Sequence, residues 1–180
     1  MRTYKNKNQL LFIFLAVGFF VGILYQNIFC MKSIVPYNLF TESALQQYLG
    51  LDIITGKYCW YVCKERVLEI GIICVLSCLK WKRTIAVLLV LLYGFLMGVF
   101  GVAAVLGLGV KGILFWASCI FPQWIFYSMA YGMMLVYWFH WPQRQWNYVK
   151  TIFVILMFSV GMIVEIYVNP ILVKGVIRMI

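Results

Sequence analysis

The chain has 180 residues, of which 65% are hydrophobic and 11% charged, against roughly 45–50% apolar and roughly 25% charged in an average soluble domain. A water-soluble fold of this length could not cover so much apolar surface, and a mean hydropathy of +0.95 is equally foreign to a disordered chain. The formal net charge of +10 comes from short basic clusters between apolar runs, a pattern of topology signals and lipid-headgroup contacts rather than of nucleic-acid binding.

These properties predict an all-α, polytopic transmembrane bundle of about five spans, forming one integral membrane domain over residues 1–180. The first span is expected over 10–30, whose 21 residues cover about 31 Å as a helix, one hydrocarbon thickness. A basic segment precedes it. No small-x-small pair follows Gly22, so an uncleaved anchor is expected rather than a signal peptide. Residues 31–57 form the longest polar stretch. Asn38 and Thr41 are candidate caps, Glu42 suits a helix start, and Thr55-Gly56 reads as a stop. That segment reads as an extracytoplasmic amphipathic helix on the membrane surface, or as a plain loop.

A second span is expected over 58–79, although it takes in Lys64, Glu65, Arg66 and Glu69. Lys80-Trp81-Lys82-Arg83 then makes a basic turn, and 85–106 is a clean third span. Gly107, Gly109 and Gly112 mark the next turn. The fourth run, 113–139, is interrupted by Pro122-Gln123. Proline there kinks or breaks the helix and frees a backbone carbonyl that neighbours must satisfy. Trp138, His140, Trp141 and Trp146 read as an aromatic belt at an interface. The fifth span, 151–169, is expected to stop at Pro170, followed by a short basic tail. With a cytoplasmic N-terminus, the inner segments carry eight positive residues in short loops and the outer ones seven in much longer stretches. This density favours an extracytoplasmic C-terminus.

Charges inside spans are costly and need a reason. Arg66 and Glu69 fall in the second span and Glu165 in the fifth, with Gly161, Glu165 and Asn169 on one helix face. Two readings stay open: Arg66 pairs with Glu165 across two helices, or it pairs locally with Glu69 while Glu165 reaches the interface. Cys59, Cys63 and Cys74 share a stripe with Arg66, and Cys78 follows four residues after Cys74. They lie too far apart along a helix for one metal site, and read as a seam of small residues. A disulfide from Cys30 to Cys59 or Cys63 is an open possibility. Gly18 and Gly22, then Gly94, Gly98 and Gly101, give two faces suited to close helix packing. The lone histidine has no nucleophile or carboxylate in register, and no hydrolase, phosphate-loop or zinc motif occurs. No catalytic, cofactor-binding or metal residue is therefore expected, and no enzyme.

The stretch GVKGILFWASCIFPQWIFYSMAYGMM (109–134), with Pro122-Gln123 between two apolar runs, resembles the stage II sporulation protein M family of endospore-forming bacteria. GMIVEIYVNPILVKGVI (161–177), with Glu165 five residues before Pro170, looks like that family's final span. KYCWYVCKERVLEIGIICVL (57–76) looks like its second. The first loop matches least. The resemblance implies a non-catalytic scaffold of the engulfment machinery in the mother-cell membrane, recruiting peptidoglycan-degrading enzymes, the stage II sporulation proteins P and D. Its partners would thus be membrane lipids and membrane-anchored hydrolases, with no nucleic acid. The alternative is a small permease or transporter membrane subunit, suggested by a proline-broken span beside an intramembrane glutamate.

Overall fold

The structure is a computed structural model that describes residues 2–29, 42–50, 56–142 and 145–179. The described residues hold eight helices and no strand: α1 (Arg2–Phe29), α2 (Glu42–Gly50), α3 (Gly56–Ser77), α4 (Lys82–Leu108), α5 (Lys111–Ile120), α6 (Gln123–Phe139), α7 (Tyr148–Tyr167) and α8 (Asn169–Met179). Among them, Gln9–Phe29 of α1, α4 and α7 are each long and apolar enough to cross a membrane. A fourth crossing arises if α5 and α6, bent by 57° across the break between them, make up one span. Their outward faces carry large apolar side chains in the open, among them Phe12, Phe20, Leu88, Ile152 and Ile163, which suits lipid as the solvent.

The count of three or four, where the sequence predicts five, turns on α3. Its 22 residues give about 33 Å, enough to span. Lys64, Glu65, Arg66 and Glu69 interrupt its apolar run, so length alone qualifies it. Within 31–57, where a surface helix or a plain loop is expected, the described residues hold α2, and Gly56, expected in a helix stop, opens α3. Asn38, Thr41, Thr55 and Cys30, with its possible disulfide, lie outside the described residues. Pro170 does not end the fold: it opens α8, in the first turn, where a missing N–H costs nothing. Pro170, Val173 and Ile177 of α8 are buried, at helical spacing, so the expected basic tail is a helix with one covered face.

Contacts group the chain into two compact units, residues 1–50 with 87–117 and residues 51–86 with 118–179. In the first unit α1 and α4 pack backbone to backbone. A Cβ on Gly18 would strike the Leu91 carbonyl and one on Gly22 the Phe95 carbonyl; Gly94 and Gly98 stand likewise against Leu15 and Phe19. Only glycine permits so close an approach, and with no hydrophobic drive between helices in lipid, such packing is what holds them. Partner numbers rise together along both helices, so α1 and α4 run parallel. Gly101 is not part of this seam; a Cβ there would stand 3.5 Å from the Trp116 indole. Gly109 makes the turn into α5 at φ 62°, a conformation that disfavours a side chain.

The second unit joins α6 and α7 as an antiparallel pair around Tyr127, Ala130 and Phe158, with Ile70 of α3 packed on the same cluster. α3 runs parallel to α6 and antiparallel to α7. The turn after α6 differs from the expected belt. Trp138 is 3% and His140 2% exposed, and the His140 Nδ1 lies 2.8 Å from the Val136 carbonyl. Both side chains point into the protein, and Trp141 remains on the surface. Periodicity could not separate these two placements for residues at a helix end.

Candidate functional site: a charged clamp between apolar helices

Arg66 sits midway along α3, one turn before Glu69. Its guanidinium engages both carboxylates that the sequence offered as partners. Nε donates to Glu165 Oε2 at 2.8 Å and Nη2 to Glu165 Oε1 at 2.6 Å, a bidentate pair from α3 to α7. Nη1 donates to Glu69 Oε2 at 2.7 Å. The two readings are therefore complementary, because the planar guanidinium presents separate edges to separate acceptors.

A third helix closes the arrangement. Tyr127 of α6 donates its hydroxyl to Glu165 Oε2 at 2.6 Å, and its ring lies 4.7 Å from the Arg66 guanidinium carbon. The Glu165 carboxylate accepts three hydrogen bonds and is 14% exposed. Gly161, one turn earlier on α7, makes room for the ring; a Cβ there would stand 2.7 Å from Tyr127 Cε1. Tyr131, one turn further along α6, packs its ring 6.3 Å from that of Tyr127 and edge-on to Phe158. The result is a cation held by two carboxylates and an aromatic face, tying α3, α6 and α7 together in largely apolar surroundings.

A second polar cluster answers the broken helix. α5 ends at Ile120, and Pro122 has no N–H to continue the ladder. The Cys119 carbonyl lies in the last turn of α5, where no later N–H of that helix reaches it. It accepts Gln123 Nε2 at 2.6 Å and, more weakly, Asn169 Nδ2 at 3.4 Å. Gln123 is buried and opens α6, and Asn169 opens α8. The structure thus assembles Arg66, Glu69 and Glu165 at one place and Pro122, Gln123 and Asn169 at another, with Pro170 beside the second. Gly161 and Glu165 on α7, then Asn169 just beyond it, are spaced four apart, so one side of this segment faces both clusters.

Tyr127 was not singled out from the sequence. The signal available was its i, i+4 spacing with Tyr131 on a helix otherwise rich in aliphatic and aromatic residues. Cys59 and Cys63 are half-buried; Cys74 on α3 and Cys78 just past its end are exposed thiols. Among the described residues no three His, Cys, Asp or Glu side chains converge. Chemically, the clamp locks helices: both oxygens of Glu165 are occupied from within. No family model, curated protein or solved structure matches this chain.

Proposed function

We infer that the protein is a five-span, non-catalytic membrane scaffold with a cytoplasmic N-terminus. The observation that carries this is the state of Glu165. A proton or ion path needs a carboxylate that can change partners, whereas both oxygens of Glu165 are committed to Arg66 and Tyr127. The helix directions support the span count. Alternating spans require α1 and α4 to run the same way, α3 and α6 to run the same way, and α7 to oppose that second pair. That is the pattern within each unit. Because α1 and α4 are parallel, the chain between them has to recross the bilayer, and α2, at nine residues, is too short to do so. Among the described residues that leaves α3, two of whose charges, Arg66 and Glu69, are gathered by the clamp.

The resemblance to stage II sporulation protein M extends the reading to engulfment in the mother-cell membrane, with the peptidoglycan-degrading stage II sporulation proteins P and D as partners. The test is affinity capture of the tagged chain from sporulating cells, paired with flux assays in liposomes. Recovery of a membrane-anchored wall hydrolase supports the scaffold. A proton or solute flux that disappears in Glu165→Gln overturns it and favours the permease. Orientation is checked by single cysteines in a cysteine-free background: Val110 should label from outside, Trp81 and Gln145 only after permeabilisation.

A further inference from the structure

The second unit contains two adjoining concavities with opposite chemistry. One, of about 430 Å³, lies against the turn between α3 and α4 and is lined by Lys80, Trp81, Lys82, Arg83 and Trp141. The other, of about 510 Å³, lies among α3, α6 and α7; Ile70, Cys74, Met134, Val154 and Phe158 make much of its wall. Lys82 lines both. Its ammonium stands 3.9 Å from the centre of the Trp141 ring and 6.0 Å from that of Tyr137, one aromatic from each cavity. Arg83 is fixed alongside by its Nε, which donates to the Phe139 carbonyl at 3.0 Å.

We propose that these two cavities form one binding site for an anionic phospholipid, with its phosphate at Lys80, Lys82 and Arg83 and an acyl chain in the apolar cavity. Three cations gather at the turn, and among the described residues no acidic side chain lines either cavity, so the complementary ligand is an anion. The apolar cavity begins where the cationic one ends, so the anion has a hydrocarbon part attached. Basic pockets between transmembrane helices, flanked by tryptophan at headgroup depth, bind anionic lipid in this way. Both volumes lie in the range of built ligand sites. The site depends on membrane embedding and not on the scaffold reading, so loss of either leaves the other standing.

The test uses the full chain purified in a mild detergent. Retention of dioleoyl phosphatidylglycerol and of dioleoyl phosphatidylcholine is measured by native mass spectrometry, with inorganic phosphate as competitor. The anionic lipid is expected to be retained in preference. Its affinity should fall about fivefold for each of Lys80→Ala and Lys82→Ala, and also in Cys74→Phe, which fills the apolar cavity. Lys80→Arg with Lys82→Arg should keep the preference, which carries the test if the alanine variants fold poorly. Equal retention of the two lipids overturns the proposal. So does unchanged retention in the lysine variants. Full displacement by inorganic phosphate, with no effect of Cys74→Phe, assigns the cations to free phosphate and overturns the lipid site.

Discussion

Replacing Arg66 by methionine removes one cation and leaves two carboxylates behind. They are not equivalent. The Glu165 side chain is 14% exposed and loses both guanidinium bonds, at 2.8 and 2.6 Å, keeping only the Tyr127 hydroxyl. Stranding a buried charge in this way costs about 3–5 kcal/mol. The Glu69 side chain is 41% exposed, so water takes over most of its lost contact and its share is below about 1 kcal/mol. Glu165→Gln leaves Arg66 with Glu69 and a weaker amide partner, which puts its cost nearer about 2–3 kcal/mol. Arg66→Met with Glu165→Leu removes both charges together and should cost only about 0–2 kcal/mol. The double variant is therefore expected to be more stable than Arg66→Met alone. The assay is a double-mutant cycle on Arg66→Met and Glu165→Leu, both singles included, by denaturant titration in micelles followed by far-ultraviolet circular dichroism. Additive losses, with coupling under about 0.5 kcal/mol, would refute the clamp. The charge swap, Arg66→Glu with Glu165→Arg, should recover only part of the loss, because it sets two glutamates one turn apart and leaves Tyr127 facing a cation.

Other perturbations separate the remaining contacts. Tyr127→Phe keeps the ring over Arg66 and removes one neutral donor, so it should cost about 0.5–1.5 kcal/mol. Gly161→Ala pushes that ring out of place, and combined with Tyr127→Phe in the same titration it should cost less than the sum of the two. Gly22→Ala drives a Cβ into the Phe95 carbonyl and should destabilise by about 1–3 kcal/mol. Gly132→Ala, with nothing within 4 Å of the added carbon, should instead stabilise by about 0.5–1 kcal/mol. Equal effects at the two glycines would contradict the parallel seam. Gln123→Leu leaves the Cys119 carbonyl with Asn169 alone, a loss of about 1–3 kcal/mol, and slower amide exchange at the α5–α6 break in that variant would argue against it.

The legibility of these features in the sequence follows their rarity. A charge in an apolar run has few explanations, so Arg66, Glu69 and Glu165 stood out before their geometry was known. That the helix breaks at Pro122 and leaves last-turn carbonyls in need of partners follows from helix and proline chemistry alone. Aromatics are different: in a lipid-facing helix a tyrosine or tryptophan is as acceptable outside as inside, which concealed Tyr127 and misplaced Trp138 and His140. Pro170 marks the end of α7, but the helix after it was hidden, since proline both follows helix ends and begins helices. Glycine spacing revealed that helices meet closely, but not that α1 and α4 meet in parallel, because the motif reads the same in either direction.

That parallel register has a consequence in time. Gly22 and Gly98 are 76 residues apart in the chain, and ribosomes add roughly 5–20 residues each second. The first helix therefore waits roughly 4–15 s between its own emergence and that of its partner. For that interval its glycine side is available to any small-residue helix nearby, including the same helix of another nascent copy. Synthesis rate, and the spacing of ribosomes on one message, thus become variables in whether the intended pair forms.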